Sequence, residues 1–250
     1  MRKLLIAAAV AVAALAGAAV ANAYFQNYKQ DFAASKTGKP TKKPGSPSGT
    51  RIQLASGDTT RADDFPPRLK ELDLFLPSGS VIDQSAKPQC GATDADFRSK
   101  GTAACPSNTI VGTGDGTVRI NGFTNLVPTL TATLYNGKKH KLILYINPSQ
   151  GQPVVLRAKI SGANGSPKIV TKVPLLCAVK NPTTGKCTTE ARIASLNLYI
   201  KKIGGKGKPA FITTPPTCPG SKKWQFVGTF KYQNATPSSK TIKSNSPCKA

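Results

Sequence analysis

Alternation of apolar and polar residues is the feature that most restricts the fold of this chain. In the ranges 69–76, 129–135, 154–160, 194–201 and 224–232, apolar residues recur at alternate positions. This period of two is typical of a strand that has one face on a core and the other in water. After the N-terminal segment, no run shows the 3.6-residue period of an amphipathic helix. The pattern therefore predicts an all-β protein of roughly ten to twelve short strands.

Turn signals indicate how these strands are connected. Asn136-Gly137 precedes an extended run at 141–146 and predicts a hairpin with a type I′ turn, and Asn164-Gly165 predicts another turn. Short antiparallel strands with turn signals about every dozen residues favour a β-sandwich that is immunoglobulin-like in the loose sense. We expect one cooperative sandwich over 50–250, with two small sandwiches as the alternative. A strand and a flexible Lys/Pro/Gly/Ser loop over 24–49 should precede it.

The N-terminus has the pattern of a secretory signal peptide. Arg2 and Lys3 precede an apolar run from Leu4 to Val20, and Ala21-Asn22-Ala23 resembles a cleavage site. The run is shorter than the roughly 20 residues that a spanning helix needs. We predict a signal-peptide helix over 1–23 that is cleaved, with an uncleaved anchor as the alternative. The mature chain should then be extracellular or at the cell surface, without a transmembrane segment.

Export favours disulfides among the cysteines, which are even in number. Six cysteines allow 15 pairings. Sequential pairing is the simplest of them, and it would join Cys90 to Cys105, Cys177 to Cys187 and Cys218 to Cys248. Metal binding by these thiolates is disfavoured, because the chain has no Cys-x-x-Cys motif and only one histidine. We expect no cofactor and no metal.

The charge is strongly positive and unevenly distributed. The whole chain has 35 basic and 11 acidic residues. Residues 24–115 are nearly balanced, whereas residues 116–250 hold 21 basic residues and a single acidic one, Glu190. This asymmetry favours an anionic partner, such as a wall polymer, an acidic polysaccharide or extracellular nucleic acid. Most of these cations are lysines, which favour diffuse attraction over specific reading of bases. The alternative is a solvated surface that keeps the protein soluble.

Specific residues are candidates for the polyanion contact. They are positions late in the chain that the sequence pattern places at the surface, namely Tyr199, Lys201, Lys202, Lys206, Lys208, Lys222, Lys223 and Lys231. The aromatic run of Trp224, Phe226, Phe230 and Tyr232 could be a stacking platform, but its alternation on one strand face favours a place in the core.

Few groups are candidates for catalysis. His140 is the only imidazole, and no serine or cysteine can be assigned to it from spacing. Glu71 and Asp73 should lie on one strand face about 7 Å apart, but a solvated face explains them better than a hydrolase site does. Asp94 and Asp96 could bind Ca²⁺, although Asp94 as a helix cap is the simpler interpretation. We predict no catalytic residue.

A glycine-rich run, Gly112-Thr-Gly-Asp-Gly116, resembles a phosphate-binding loop only superficially. No Lys-Ser/Thr pair and no helix follow it, so it lacks the parts of a P-loop. A glycine-interrupted strand with a bulge is the better interpretation.

Several segments resemble secreted β-rich proteins of actinobacteria. The segments are 72–79 (LDLFLPSG), 88–90 (PQC), 104–106 (ACP), 110–114 (IVGTG) and 209–218 (PAFITTPPTC) followed by an aromatic strand. The resemblance implies export, a β-sandwich and the pairing of Cys90 with Cys105. It implies no catalytic residue. The Lys- and Pro-rich stretch at 36–49 departs from it.

Three hypotheses of function follow. The first is a non-catalytic exported protein with a structural or adhesive role at the cell envelope. The second is a secreted polyanion-binding module that uses the lysine-rich region 116–250. The third is a secreted hydrolase of unknown class.

Overall fold

The structure is a computed structural model that describes residues 24–124, 127–162, 165–205 and 207–249. The predicted signal-peptide segment, residues 1–23, lies outside the described residues. Antiparallel strands dominate the rest, which confirms the all-β prediction. In the described part, the strands are β1 (Tyr24–Ala33), β2 (Pro47–Asp58), β3 (Arg68–Phe75), β4 (Val81–Ile82), β5 (Ile110–Ile120), β6 (Thr129–Gly137), β7 (Lys141–Pro148), β8 (Val154–Ser161), β9 (Lys168–Lys172), β10 (Leu176–Lys180), β11 (Cys187–Ile200), β12 (Ile212–Thr213), β13 (Lys223–Gln233) and β14 (Ser239–Pro247). A helix, α1 (Asp94–Lys100), and short 3₁₀ turns lie between β4 and β5.

The strands form one continuous hydrogen-bonded sheet. Its order is β14-β13-β3-β9-β8-β7-β6-β5-β11-β2-β12-β4, with β1 paired to β2 and β10 paired to β11. An immunoglobulin-like sandwich has two separate sheets that pack face to face. That finer prediction is not confirmed, because hydrogen bonding here continues unbroken from β14 to β4.

The sheet curls until β1 lies beside β14, which we call the seam. Side chains rather than a backbone ladder connect the two strands there. The Gln30 N–H donates to Ser244 Oγ at 2.9 Å, and Ser244 Oγ donates to the Gln30 carbonyl at 2.9 Å. The Phe32 N–H donates to Ser246 Oγ at 3.2 Å. Both serines are buried, so these hydrogen bonds satisfy backbone groups of an edge strand that water does not reach.

The enclosed face of the sheet forms the main core. Alternate residues of every long strand point into it, as the period of two predicted. Aromatic rings cluster on one side, where Phe32 of β1 contacts Trp224 and Phe226 of β13 edge to face, at centroid distances of 5.3 and 4.8 Å. Phe230 and Tyr232 are buried as well. The prediction that this aromatic run belongs to the core is confirmed.

A smaller core lies on the outer face of β6 and β7. Phe97 of α1 packs against Tyr135 and Tyr145 at centroid distances of 5.5 and 5.4 Å, and the disulfide between Cys90 and Cys105 is buried with them. All three disulfides have the sequential pairing, since Cys177 is joined to Cys187 and Cys218 to Cys248. The first disulfide closes the loop that carries α1, and the Cys90 N–H donates to the Asn136 carbonyl of β6 at 2.7 Å.

The cap of α1 differs from the prediction. Thr93, not Asp94, is the N-cap, because its hydroxyl accepts from the Asp96 N–H while the Asp96 carboxylate accepts from the Thr93 N–H. Asp94 instead accepts from Arg157 Nε at 2.8 Å, an ion pair that ties the helix to β8.

The β6–β7 hairpin is confirmed, but the predicted turn is in the wrong place. Gly137 pairs with Lys141, so Asn136 and Gly137 belong to the strand. Lys139 and His140 adopt the positive φ angles of the turn, 57° and 55°. The Asn136 side chain is fully buried and donates to the carbonyls of Gln84 and Lys87 at 2.8 Å each. The asparagine at this position therefore serves these long-range hydrogen bonds and not a turn. Asn164 of the second predicted turn lies outside the described residues.

The enclosed core has two different ends. At the closed end, where β11 ends and β13 begins, Phe211 and Ile212 are fully buried and join the core. The 36–49 segment also packs there, since Thr41 N–H donates to the Phe32 carbonyl and Gly45 N–H donates to the Pro215 carbonyl, both at 2.9 Å. The open end lies opposite, where β1, β3 and β6 begin.

Candidate functional site

An apolar cavity lies inside the curled sheet. The space open to the centre of a water-sized sphere is about 110 Å³, several times the roughly 10–15 Å³ that one water needs. Leucine, isoleucine, valine and alanine side chains on the enclosed face of the sheet form most of its wall; they include Ile52, Leu72, Leu74, Leu134, Leu142, Leu144, Leu156, Ala158, Ile169, Leu196, Leu198 and Ile200. A cavity with such a wall stays dry and accepts apolar ligands.

The cavity exists because the core side chains are unequal in size. The large rings of β1 and β13 fill the side of the core next to the seam. The opposite wall, on β7, β8 and β9, contributes aliphatic side chains, including the small Ala158. Glycines in β5 allow this strand to lie close to β11, because a Cβ on Gly114 would be only 2.6 Å from the Asn197 carbonyl. The predicted glycine-interrupted strand is thus explained, and the pairing of β5 with β6 shifts register beside Gly112.

The cavity extends along β11 and opens at the open end. Its lining on this strand runs from Glu190 at the open end to Ile200 near the closed end. The lining residues therefore follow most of β11, which suits an elongated ligand better than a compact one.

Apolar side chains surround the opening. Leu175, just before β10, and Leu176, its first residue, line the cavity where it meets the surface. The large hydrophobic side chains that are exposed in the described part of the chain are Phe123, Val127, Leu175 and Val179, and all four lie at the open end. Exposed apolar residues that gather in one place mark a contact surface rather than random exposure.

A polar pocket adjoins the opening. The volume open to the centre of a water-sized sphere is about 350 Å³ in this pocket. Four residues, Pro67, Arg68, Glu190 and Arg192, belong both to its wall and to the wall of the apolar cavity. Arg192 donates to the Pro66 carbonyl at 2.6 Å and to the Glu190 carboxylate at 2.7 Å. The hydrogen bond to Pro66 joins β11 to the segment before β3 across the opening.

The wall of the polar pocket is held by a second arginine. Arg61 makes a bidentate contact with Asp63, at 2.8 and 2.7 Å, and the N–H groups of Gly122 and Phe65 donate to the same carboxylate. The Arg61 hydrogen bonds, aided by the two backbone donors, hold the pKa of Asp63 well below its usual range although burial opposes this. The guanidinium groups of Arg61 and Arg192 also lie over the Phe65 ring, at 5.4 and 4.3 Å.

The predicted polyanion residues fall into three groups. Lys201, Lys202, Lys208, Lys222 and Lys223 are exposed at or near the closed end, and Lys206 lies outside the described residues. Two members differ from the prediction. Tyr199 is only 9% exposed and donates to the Ala34 carbonyl, so its ring is not a surface contact. Lys231 is on the outer face of β13 and pairs with Glu71 at 2.5 Å and with Asp73 at 3.6 Å.

The closed end also holds lysines that were not among the predicted polyanion residues. The Lys42 carbonyl accepts from the Lys249 N–H at 2.9 Å, and the Lys222 carbonyl accepts from the Cys248 N–H at 2.9 Å. The Thr214 hydroxyl donates to the Lys43 carbonyl at 2.9 Å. We call Lys42, Lys43, Lys201, Lys202, Lys222, Lys223 and Lys249 the lysine cluster; these side chains are exposed.

The candidate catalytic carboxylates are held in ion pairs. Asp73 was expected on a solvated face, but it is only 3% exposed, and it pairs with Lys168 of β9 at 3.0 Å and Lys231 of β13 at 3.6 Å. Glu71 pairs with Lys231, not with the adjacent Lys70. In the described part of the chain, no group of three or more His, Cys, Asp or Glu residues could hold a metal ion. The exposed His140 lies in the β6–β7 turn, away from these carboxylates.

Sequence reasoning missed the residues around the opening. Arg68, Arg192 and Leu175 come from three distant parts of the chain, and no local motif connects them. One signal was available: Glu190 is the single acidic residue after residue 115, and Arg192 lies two positions later on the same strand face.

Comparison with known proteins identifies no relative, since no protein-family model, curated protein or solved structure matches the chain. Among the residues that the structure describes, no helix has both the length and the apolar character needed to span a membrane.

Proposed function

We propose that this protein is an exported, non-catalytic carrier that encloses the apolar part of an elongated small molecule inside its curled sheet. The observation that carries the proposal is the apolar cavity, which runs along β11 from Glu190 to Ile200 and opens at one end of the sheet. The three disulfides support export, because such bonds persist in oxidising compartments.

The chemistry of the wall favours binding over catalysis. Aliphatic side chains exclude water and stabilise an apolar ligand by burial, but they transfer no protons. Burial is worth ~0.8 kcal/mol per methylene. A chain of ten methylenes would thus gain ~8 kcal/mol before the entropy of association is subtracted, which is sufficient for a useful affinity.

A matched pair of variants tests the carrier function. Ala158 lines the cavity, whereas Ala132 belongs to the same core but does not line it. Ala158→Phe should fill the cavity with the fold retained, while Ala132→Phe should destabilise the protein by about 1–3 kcal/mol, because an added ring overpacks a dense core. The ligand probe is N-phenylnaphthylamine, a neutral fluorophore whose emission rises in apolar surroundings.

The wild-type protein should bind one fluorophore saturably, and long-chain amphiphiles should displace it. Ala158→Phe should weaken this binding at least about tenfold, with an unchanged β-type circular dichroism spectrum. Absence of saturable binding by the wild-type protein, or undiminished binding by a folded Ala158→Phe protein, would contradict the carrier function.

The lysine cluster favours a second candidate function, attachment to an anionic polymer of the envelope. Backbone hydrogen bonds join Lys249 to Lys42 and its neighbour Cys248 to Lys222, although these segments are far apart in sequence. Clustered exposed cations attract polyanions in a salt-dependent way. Attachment by the closed end would leave the open end free, so the two functions are compatible. The structural or adhesive role at the cell envelope that the sequence suggested stays a prediction.

Retention on a heparin column tests the second function. A triple variant with Lys42, Lys222 and Lys249 changed to Gln should elute at clearly lower salt than the wild-type protein. The control changes three exposed lysines nearer the open end, Lys172, Lys180 and Lys186, and removes the same charge. Equal elution of the two triple variants would show that net charge, and not the cluster, determines retention.

A further inference from the structure

We infer that the ligand is a single-chain amphiphile with an anionic head group, which Arg68 and Arg192 bind where the apolar cavity meets the polar pocket. This inference rests on the carrier function proposed above. It adds the chemical class of the ligand and the residues that select it.

The first step is the continuity of the two spaces. The apolar cavity and the polar pocket share four wall residues, Pro67, Arg68, Glu190 and Arg192. A tail that fills the cavity would therefore place whatever follows it beside these residues. The wall of the pocket beyond them is mixed, with Asp58, Arg61 and Gln233 among its residues. An apolar space that continues into a polar one fits a molecule with a tail and a head.

The second step is the hydrogen bonding of the charged groups. Both carboxylates of the polar pocket have partners: Glu190 accepts from Arg192, and Asp58 accepts from the Thr60 hydroxyl at 2.6 Å. Arg61 is occupied by Asp63. Among the described residues, no group accepts a hydrogen bond from the Arg68 guanidinium, which is half-buried in the shared wall. The charge without a partner at this junction is therefore positive.

The third step is a buried donor in the same wall. Arg192 Nε is inaccessible to solvent and has no hydrogen-bond acceptor in the described structure. A buried donor without an acceptor costs about 1–3 kcal/mol, so such groups are rare unless a ligand or water satisfies them. A carboxylate or phosphate has several acceptor oxygens and could accept from Arg192 and Arg68 together.

The fourth step is the rigidity of the wall. Arg192 is fixed by the Pro66 carbonyl, the Glu190 carboxylate and the Phe65 ring. Pro66 and Pro67 restrict the backbone directly before Arg68. The Arg192 guanidinium is thus preorganised, which lowers the entropy lost when an anion binds. A cationic head group would find no free carboxylate among the described pocket residues, and a neutral one would leave the Arg68 charge unpaired.

A competition experiment with matched tails tests the head-group preference. Hexadecanoate, hexadecyl phosphate, hexadecanol and hexadecyltrimethylammonium are compared as competitors of bound N-phenylnaphthylamine, at a pH where the two acids are ionised. The acids should displace the fluorophore at about tenfold lower concentration than the alcohol, since a charge-assisted hydrogen bond supplies that difference. The cation should compete least. Comparison of the carboxylate with the phosphate shows which acid the site prefers.

Variants of Arg68 test whether this residue causes the preference for acids. Arg68→Gln should remove the preference for acids over the alcohol while leaving the affinity for the alcohol nearly unchanged, and Arg68→Lys should retain part of it. The control is Arg98→Gln, which removes the same charge from an exposed position at the end of α1. It should keep the full preference.

Two failures can be told apart. If the alcohol competes as well as the acids, or if Arg68→Gln keeps the preference, the head-group inference is wrong while the carrier function stands. If neither the fluorophore nor any amphiphile binds, the carrier function is wrong and the head-group inference is lost with it.

Discussion

At the scale of single residues, buried polar side chains hold distant segments of this protein together. Asp63 accepts hydrogen bonds from Arg61, Phe65 and Gly122, which belong to the segment before β3 and to the turn after β5. Asn136 connects β6 to the segment before α1 in the same manner. Each side chain satisfies several backbone groups that the surrounding strands leave unpaired, so its loss affects more than one segment.

The acid sensitivity of the protein should depend on Asp63. Its pKa is lowered in the folded state, so ionised Asp63 contributes stability above the unfolded-state pKa of about 4, and this contribution is lost as the pH falls through the folded-state pKa. Asp63→Asn should lower the free energy of unfolding at neutral pH by about 1–3 kcal/mol. The difference between variant and wild-type protein should shrink below about pH 4.

Chemical denaturation measured between about pH 7 and about pH 2 checks this prediction. Asp64→Asn is the control, because Asp64 makes one longer ion pair, at 3.6 Å from Arg119. A constant difference between Asp63→Asn and wild-type protein across the whole pH range would contradict the role of the ionised carboxylate.

At the scale of elements, the seam determines whether the sheet encloses a cavity at all. β1 and β14 do not share a backbone ladder over the seam, and Ser244 and Ser246 supply the hydrogen bonds in its place. Without these bonds, the N–H groups of Gln30 and Phe32 would be buried without acceptors, and the edge of β1 would be open to pairing with other chains.

The seam serines are therefore expected to be important for stability. The double variant Ser244→Ala/Ser246→Ala should lower the free energy of unfolding by about 2–4 kcal/mol, because three buried hydrogen bonds are lost. Amide hydrogen exchange of Gln30 and Phe32 should become faster. Ser239→Ala, an exposed serine of the same strand, is the control and should change neither quantity.

The disulfides allow a comparison between two loops of similar length. The Cys90 and Cys177 bridges span 15 and 10 residues, respectively. Chain entropy alone predicts similar losses on removal, about 3 kcal/mol each. The first bridge is buried with Phe97 and Tyr135, whereas the second lies in a partly exposed hairpin. Replacing both cysteines of the first bridge by alanine should thus cost at least about 1 kcal/mol more than doing so for the second.

Differential scanning calorimetry of the two double alanine variants measures this difference. Near-ultraviolet circular dichroism should also change more for the first variant, because its bridge is packed with aromatic rings. Equal losses of stability would show that the buried cystine contributes only through the chain entropy of the unfolded state.

At the scale of the whole molecule, the open end, the cavity and the closed end form one arrangement. The apolar opening faces away from the lysine cluster, so a ligand could enter at one end while the other contacts an anionic surface. Ligand binding should also stabilise the folded state, since an unfolded chain has no cavity. At a ligand concentration about 100 times the Kd, the gain is about 2.7 kcal/mol.

This stabilisation should raise the Tm by roughly 5–10 °C for a chain of this size. Thermal unfolding with and without hexadecanoate measures the shift. Ala158→Phe should show no shift, because its cavity is filled. A similar shift in both proteins would mean that the amphiphile stabilises the surface instead of the interior.

The amino-acid sequence determined which residues form strands and which side of each strand is buried. Apolar alternation placed Leu72 and Leu74 in the core, and the spacing of the cysteines favoured the sequential bridges. Both signals are local, because strand period and short loops depend on residues close together in the chain. Two residues departed from these local signals. Long-range hydrogen bonds of Asn136 competed with the turn that its dipeptide favours, and Asp73 is buried although its strand face was expected to be solvated.

The order of the strands and the space that they enclose depend on contacts between distant parts of the chain. A one-sheet closure with β1 beside β14 joins residues more than 200 positions apart, such as Gln30 and Ser244, and no local pattern encodes that pairing. The cavity follows from the unequal volumes of side chains on opposite walls, and Arg68 and Arg192 line the same opening. Packing volume and the meeting of distant charges are properties of the folded chain, because they depend on which strands become neighbours.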